Sequence, residues 1–120
     1  MPKKGRNYIM FIKDILTSIE KIEKYTSDIS LTEFSQNDLL IDAVVRNFEV
    51  MGEAVKKIPK EIKENYPDIE WREAAGFRDI LIHDYFGIDV ESIYETLQNN
   101  IPEFKKKIKK VLDKEEKRQK

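Results

Sequence analysis

The sequence contains no cysteine and a single histidine in 120 residues. The first absence excludes disulfides and thiolate metal sites, and the second excludes a multi-histidine zinc site. Glycine and proline number four each, few for an all-β chain rich in tight turns. The four glycines lie far apart, so no glycine-rich phosphate loop exists, and no Gly-x-Ser-x-Gly elbow is present. No apolar run approaches the roughly 18–20 residues that span a bilayer. The basic start Met1-Pro2-Lys3-Lys4-Gly5-Arg6 is not followed by the apolar stretch of a secretory signal, so the expectation is a cytoplasmic protein without a membrane partner. A chain of this length builds one core. The sequence therefore predicts a single domain over 1–120, with a charged, Lys-rich C-terminal tail from about residue 113.

What the chain does hold is charge, at 38%, and apolar residues, at 40%. That mixture suits amphipathic helices with solvated outer faces. The net charge of −1 conceals an asymmetry. Residues 1–13 carry Lys3, Lys4, Arg6 and Lys13 with no acid, residues 14–100 carry 9 basic and 19 acidic side chains, and residues 101–120 carry 9 basic and 4 acidic. Two basic ends flank an acidic body. Such ends can hold phosphate backbones. Equally, lysines at the end of a helix can simply complement its dipole.

The apolar spacing is helical throughout. Tyr8, Ile12, Ile15, Ile19 and Ile22 form one face of a helix over about 7–25. Ser30-x-x-Glu33 has the spacing of a capping box and opens a single turn. Leu40, Val44, Phe48, Met51 and Val55 form the face of a second long helix over about 37–57, ended by Pro59, which can itself open a short helix over 60–66. A further helix starts near Trp71 and breaks at Gly87. Asp89 is a plausible N-cap for a last region whose face runs Ile93, Leu97, Ile101, Phe104, Ile108 and Val111, with Pro102 as a kink or a new start. With no alternating strand pattern, the expected fold is all-α, a bundle of four to five helices.

The histidine lies in Phe77-Arg78-Asp79-Ile80-Leu81-Ile82-His83-Asp84-Tyr85-Phe86. Arg78 and His83 are five residues apart, about 140° around a regular helix. They converge only if the helix ends or tightens near His83. A lone histidine at a helix end can be purely structural, bonded to a carboxylate or carbonyl. It can also serve RNA cleavage. The ribose 2′-OH is a built-in nucleophile whose proton needs a base near neutral pH, which histidine provides. The crowded phosphorane needs fixed positive charge, which arginine provides. No metal and no cofactor is required. One chain supplies one histidine, and a two-fold dimer would bring two Arg-His pairs into one cleft.

Arg78-x4-His83-x-Tyr85 resembles the RX4HXY motif of the HepT-type toxins of the HEPN family. Further segments match that family's pattern: Arg46-Asn47-Phe48-Glu49-Val50-Met51-Gly52-Glu53-Ala54, Ile58-Pro59, Tyr66-Pro67-Asp68-Ile69-Glu70-Trp71 and Asp84-Tyr85-Phe86-Gly87-Ile88-Asp89. The likeness runs from about Arg6 to Lys110. It implies a dimeric HEPN-type helical bundle that is a toxin and a metal-independent endoribonuclease acting on RNA. Arg78 and His83 would be catalytic, in a cleft at the dimer interface. It also implies a partner, an MntA-type nucleotidyltransferase antitoxin that transfers AMP from ATP to Tyr85. Added phosphate so close to His83 would fill the cleft, compete for Arg78 and repel RNA.

Other residues have two readings each. Arg46, Glu49 and Glu53 either orient the Arg78–His83 cleft or bind the partner, or form an ordinary intrahelical pair at i,i+3. Asp79 and Asp84 either orient His83 or face water. Trp71 is core rather than a stacking platform for bases, and Gly52 allows close helix approach. A different class of function shares fold and partner: a non-catalytic nucleotide-binding or regulatory subunit of a nucleotidyltransferase, in which Arg78 and His83 bind phosphate without cutting.

Overall fold

A computed structural model describes residues 7–83 and 89–119, the His83 side chain excepted. Seven helices appear in this order among those residues: α1 Tyr8–Tyr25, α2 Leu31–Ser35, α3 Asp38–Lys56, α4 Lys60–Asn65, α5 Trp71–His83, α6 Val90–Asn99 and α7 Ile101–Arg118. Five are long, and α2 and α4 are the two short pieces that the proline and capping signals predict. Pro102 starts a new helix rather than kinking one, because it occupies the first turn of α7, where its missing N–H costs nothing. Among the described residues every regular element is helical, and no helix is long and apolar enough to cross a membrane.

Side-chain caps set most of the helix starts. Asn7 accepts from the Ile9 amide at 2.8 Å, Asn37 from Leu40 at 3.0 Å and Asp89 from Ser92 at 2.7 Å. At α2 both halves of the capping box form, Glu33 N to Ser30 Oγ at 3.1 Å and Ser30 N to Glu33 Oε1 at 3.0 Å. These bonds satisfy amides that a helix leaves open at its first turn.

The apolar faces meet in one core. α1 packs between α3 and α7, α5 lies against α3, and α6 joins α2 and α7. Ile12, Ile15, Ile19, Val44, Val55 and Ile108 have no exposed surface. Trp71 is buried in this core and donates its indole N–H to the Tyr66 carbonyl at 3.1 Å, so it is a packing residue, as the sequence suggests.

Residues 113–118 of the charged stretch are the last turns of α7. Glu115 anchors it and is fully buried. Its carboxylate accepts from Tyr8 Oη at 2.7 Å and Tyr66 Oη at 2.6 Å, with Arg118 at 3.5 Å. Burial pushes the Glu115 carboxyl up, but the two phenol hydrogen bonds and Arg118 pull it down further, leaving it below its ordinary range. Burial and the same carboxylate push the Tyr66 phenol up to about 12 and raise that of Tyr8. One acid thereby ties the start of α1 and the end of α4 to the end of α7.

Candidate functional site

The site is built where α3 crosses α5. Gly52 of α3 faces Arg78 of α5 so closely that a Cβ on Gly52 would stand 2.2 Å from Arg78 Cβ, 2.8 Å from Arg78 Cγ and 3.2 Å from the Ala74 carbonyl oxygen. Only glycine permits this crossing. The stem of Arg78 is thus pressed against α3 at Gly52, and its guanidinium reaches Glu53, the next residue of α3.

Two carboxylates hold the guanidinium. Arg78 Nη2 meets Glu53 Oε1 at 2.9 Å, and Nη1 meets Asp79 Oδ1 at 2.9 Å. Each carboxylate has a second cation, Lys57 at 3.7 Å from Glu53 and Lys56 at 2.6 Å from Asp79. The order Lys57–Glu53–Arg78–Asp79–Lys56 alternates in sign. Hydrogen bonds from Lys56 and then Arg78 hold the Asp79 carboxyl below the usual carboxylate range. The third nitrogen, Arg78 Nε, is buried and has no hydrogen-bond partner among the described residues. Its N–H is an unused donor on a group suited to oxyanions.

Around Arg78 lies an open groove of about 330 Å³. α1 contributes Phe11 and Asp14, α3 and its C-cap contribute Arg46, Glu49, Glu53 and Lys57, and α5 contributes Arg78 and Ile82. Arg46 and Glu49 pair at 3.8 Å, at the i,i+3 spacing read from the sequence. A second crevice, of about 280 Å³, is lined by Phe48, Phe77 and Phe104, with Glu70 and Glu73 and no basic side chain in its lining. It offers nothing for phosphate. Among the described residues no three His, Asp or Glu side chains are grouped so as to hold a metal ion.

The predicted residues divide as follows. Arg78, Glu53, Asp79, Arg46 and Glu49 lie together at or beside the groove. The Asp79 carboxylate engages Arg78 and Lys56 and stays partly exposed to water. His83 belongs to α5, five residues beyond Arg78. Asp84 and Tyr85 lie outside the described residues, as does the placement of the His83 imidazole. Lys56 and Lys57 were missed from sequence. Their signal is present, since two adjacent lysines three and four residues after Glu53 fall within one turn of it.

A helical bundle that seats an arginine between two carboxylates, with a histidine further along the same helix, defines a class of small α-helical proteins with an arginine–histidine motif. The "Ribonuclease HepT-like" family model matches residues 15–111. A candidate RNase of Methanocaldococcus jannaschii, MJ0125, is 48% identical over 118 residues, covering 98% of this chain and 100% of the relative. A candidate RNase of Caldanaerobacter subterraneus, TTE0752, is 41% identical over 105 residues, covering 88% and 94%. A protein of Thermococcus cleftensis named "Probable ribonuclease HepT" is 41% identical over 106 residues, covering 88% and 96%. No solved structure matches the chain significantly. The chain belongs to the HepT-like ribonuclease family.

Proposed function

We propose that the chain is the toxin of a toxin–antitoxin pair, a metal-independent endoribonuclease that uses Arg78 and His83 and is silenced by AMP transfer to Tyr85. Family membership supports the substrate class, RNA. The observation that carries the reading is the seat of Arg78, held by Glu53 and Asp79 at the lining of an open groove.

In the proposed reaction neutral His83 takes the proton of the ribose 2′-OH. The 2′ oxygen attacks phosphorus, and the bond from phosphorus to the 5′ oxygen breaks. A 2′,3′-cyclic phosphate and a 5′-hydroxyl result. Arg78 stabilises the phosphorane charge, a contribution of about 10²–10³ in rate when one such donor is removed. The leaving 5′ oxygen needs a proton from an acid. Because the chain has one histidine, the acid is the histidine of a second copy in a two-fold dimer with the cleft at its interface.

Silencing follows the same electrostatics. A nucleotidyltransferase of the MntA type carries the α-phosphate of ATP to the Tyr85 oxygen, releasing pyrophosphate. The new phosphodiester places negative charge two residues from His83 and competes with RNA for Arg78. Co-expression with the nucleotidyltransferase from the neighbouring gene is expected to add the mass of AMP to the peptide containing Tyr85. Tyr85→Phe is expected to remain unmodified. A neutralised toxin whose Tyr85 peptide carries no added mass would contradict this route.

A further inference from the structure

The groove at Arg78 does not attract RNA by net charge. Arg46, Lys57 and Arg78 face Asp14, Glu49 and Glu53, and residues 14–100 are strongly acidic. An enzyme that acts on a polyanion from such a body needs its long-range attraction elsewhere.

α7 carries it. Lys106, Lys109, Lys110 and Lys117 are exposed, and none of them pairs with a carboxylate among the described residues. Six of the ten other described lysines do pair: Lys13 with Glu116, Lys56 with Asp79, Lys57 with Glu53, Lys60 with Glu64, Lys105 with Glu23 and Lys107 with Glu70. At 100° per residue Lys106, Lys110 and Lys117 fall within about 40° of one another, with Lys109 on their edge, over about 16 Å of helix. Lys114, whose ammonium lies over the Tyr66 ring, widens the strip, while Asp113 interrupts it.

The strip ends beside the groove-lining helix. Asn7 Nδ2 donates to Gln119 Oε1 at 3.3 Å, and Tyr8 bonds Glu115. The start of α1 therefore lies against the end of α7, and within the next two turns of α1 Phe11 and Asp14 line the groove. In sequence Lys3, Lys4 and Arg6 immediately precede Asn7.

We propose that the outer face of α7 is an RNA-binding exosite, a strip of lysines that grips single-stranded RNA through its phosphates and leads it over the start of α1 to the Arg78 groove. This rests on the ribonuclease reading and extends it. Phosphate contacts of this kind hold and orient without reading sequence. The strip therefore sets affinity for long RNA and leaves the chemical step alone.

The test compares full-length protein with a triple variant, Lys106→Glu, Lys110→Glu and Lys117→Glu, and with a charge-matched control, Lys21→Glu, Lys24→Glu and Lys60→Glu, all at exposed positions. Binding of a labelled single-stranded RNA of about 20 nucleotides is followed by anisotropy in the His83→Ala background at several salt concentrations. Loss of three phosphate contacts is expected to weaken binding by about tenfold or more and to flatten the salt slope by about 2. In the active background, KM for the long RNA rises, kcat holds, and cleavage of a dinucleotide is unchanged. Equal binding by wild type and the α7 variant, or equal losses in the α7 variant and the control, would overturn the exosite while leaving the ribonuclease reading intact. Wild-type protein that neither binds nor cuts RNA would overturn both.

Discussion

Gly52→Ala is expected to lose activity out of proportion to its chemistry. The added methyl would stand 2.2 Å from Arg78 Cβ, an atom fixed to the backbone of α5 rather than the end of a flexible chain. α3 and α5 must separate, and the guanidinium leaves its place between Glu53 and Asp79. Overpacking of this kind costs about 1–3 kcal/mol, offset by the better helix propensity of alanine, about 1 kcal/mol. RNA cleavage is expected to fall toward that of Arg78→Ala, about 10²–10³ below wild type. Gly76→Ala is the control. It lies in α5, and its added Cβ would meet nothing within 4 Å. That change is expected to stabilise by about 0.5–1 kcal/mol with activity retained. Chemical denaturation with parallel cleavage assays reads both. Equal behaviour of the two variants would contradict the tight crossing.

Glu115→Ala is expected to be among the most destabilising single changes, about 2–4 kcal/mol, because it removes the shared acceptor of two tyrosines and unties α7 from α1 and α4. The same clasp gives stability a pH signature. Glu115 has its folded pKa below the ordinary value of 4.5, so its contribution is complete above that value and is lost as pH falls through the folded one. Tyr66 is raised from 10 to about 12, so its contribution is complete below 10 and is lost as pH rises toward 12. Stability should therefore decline at both extremes, and Glu115→Ala should flatten both limbs. Thermal unfolding across pH measures this. A variant with the wild-type pH profile would show that the clasp carries little.

Much of the fold is legible from spacing alone. The helix faces, the Ser30–Glu33 box, the Asp89 cap and the break at Pro59 follow from local chemistry, and the structure has them all. The role of Glu115 was harder to see. It continues the series Ile101, Phe104, Ile108, Val111 at the next core position, but a glutamate in a Lys-rich stretch reads as solvated. Its partners are 107 and 49 residues away, and only the tertiary fold brings them together. At the site, the sequence singled out Arg78, and the structure sets Glu53 and Asp79 against it. It did not reveal that Asp79 turns to Arg78 and Lys56, because neighbours in sequence leave side-chain direction open. Nor did it show why Gly52 stands where it does beyond a general need for close packing. That reason lies in one contact between two helices.

The most direct test of the central claim is cleavage of total tRNA and mRNA by the purified protein in EDTA, with wild type beside His83→Ala and Arg78→Ala, after mass analysis has established that Tyr85 is unmodified. The account predicts cleavage by wild type, new ends carrying 2′,3′-cyclic phosphate, and loss of about 10²-fold or more in both variants, which remain folded. Undiminished cleavage by His83→Ala, or no cleavage by unmodified wild type, would contradict it, and the latter result would favour a subunit that binds nucleotides without cutting RNA.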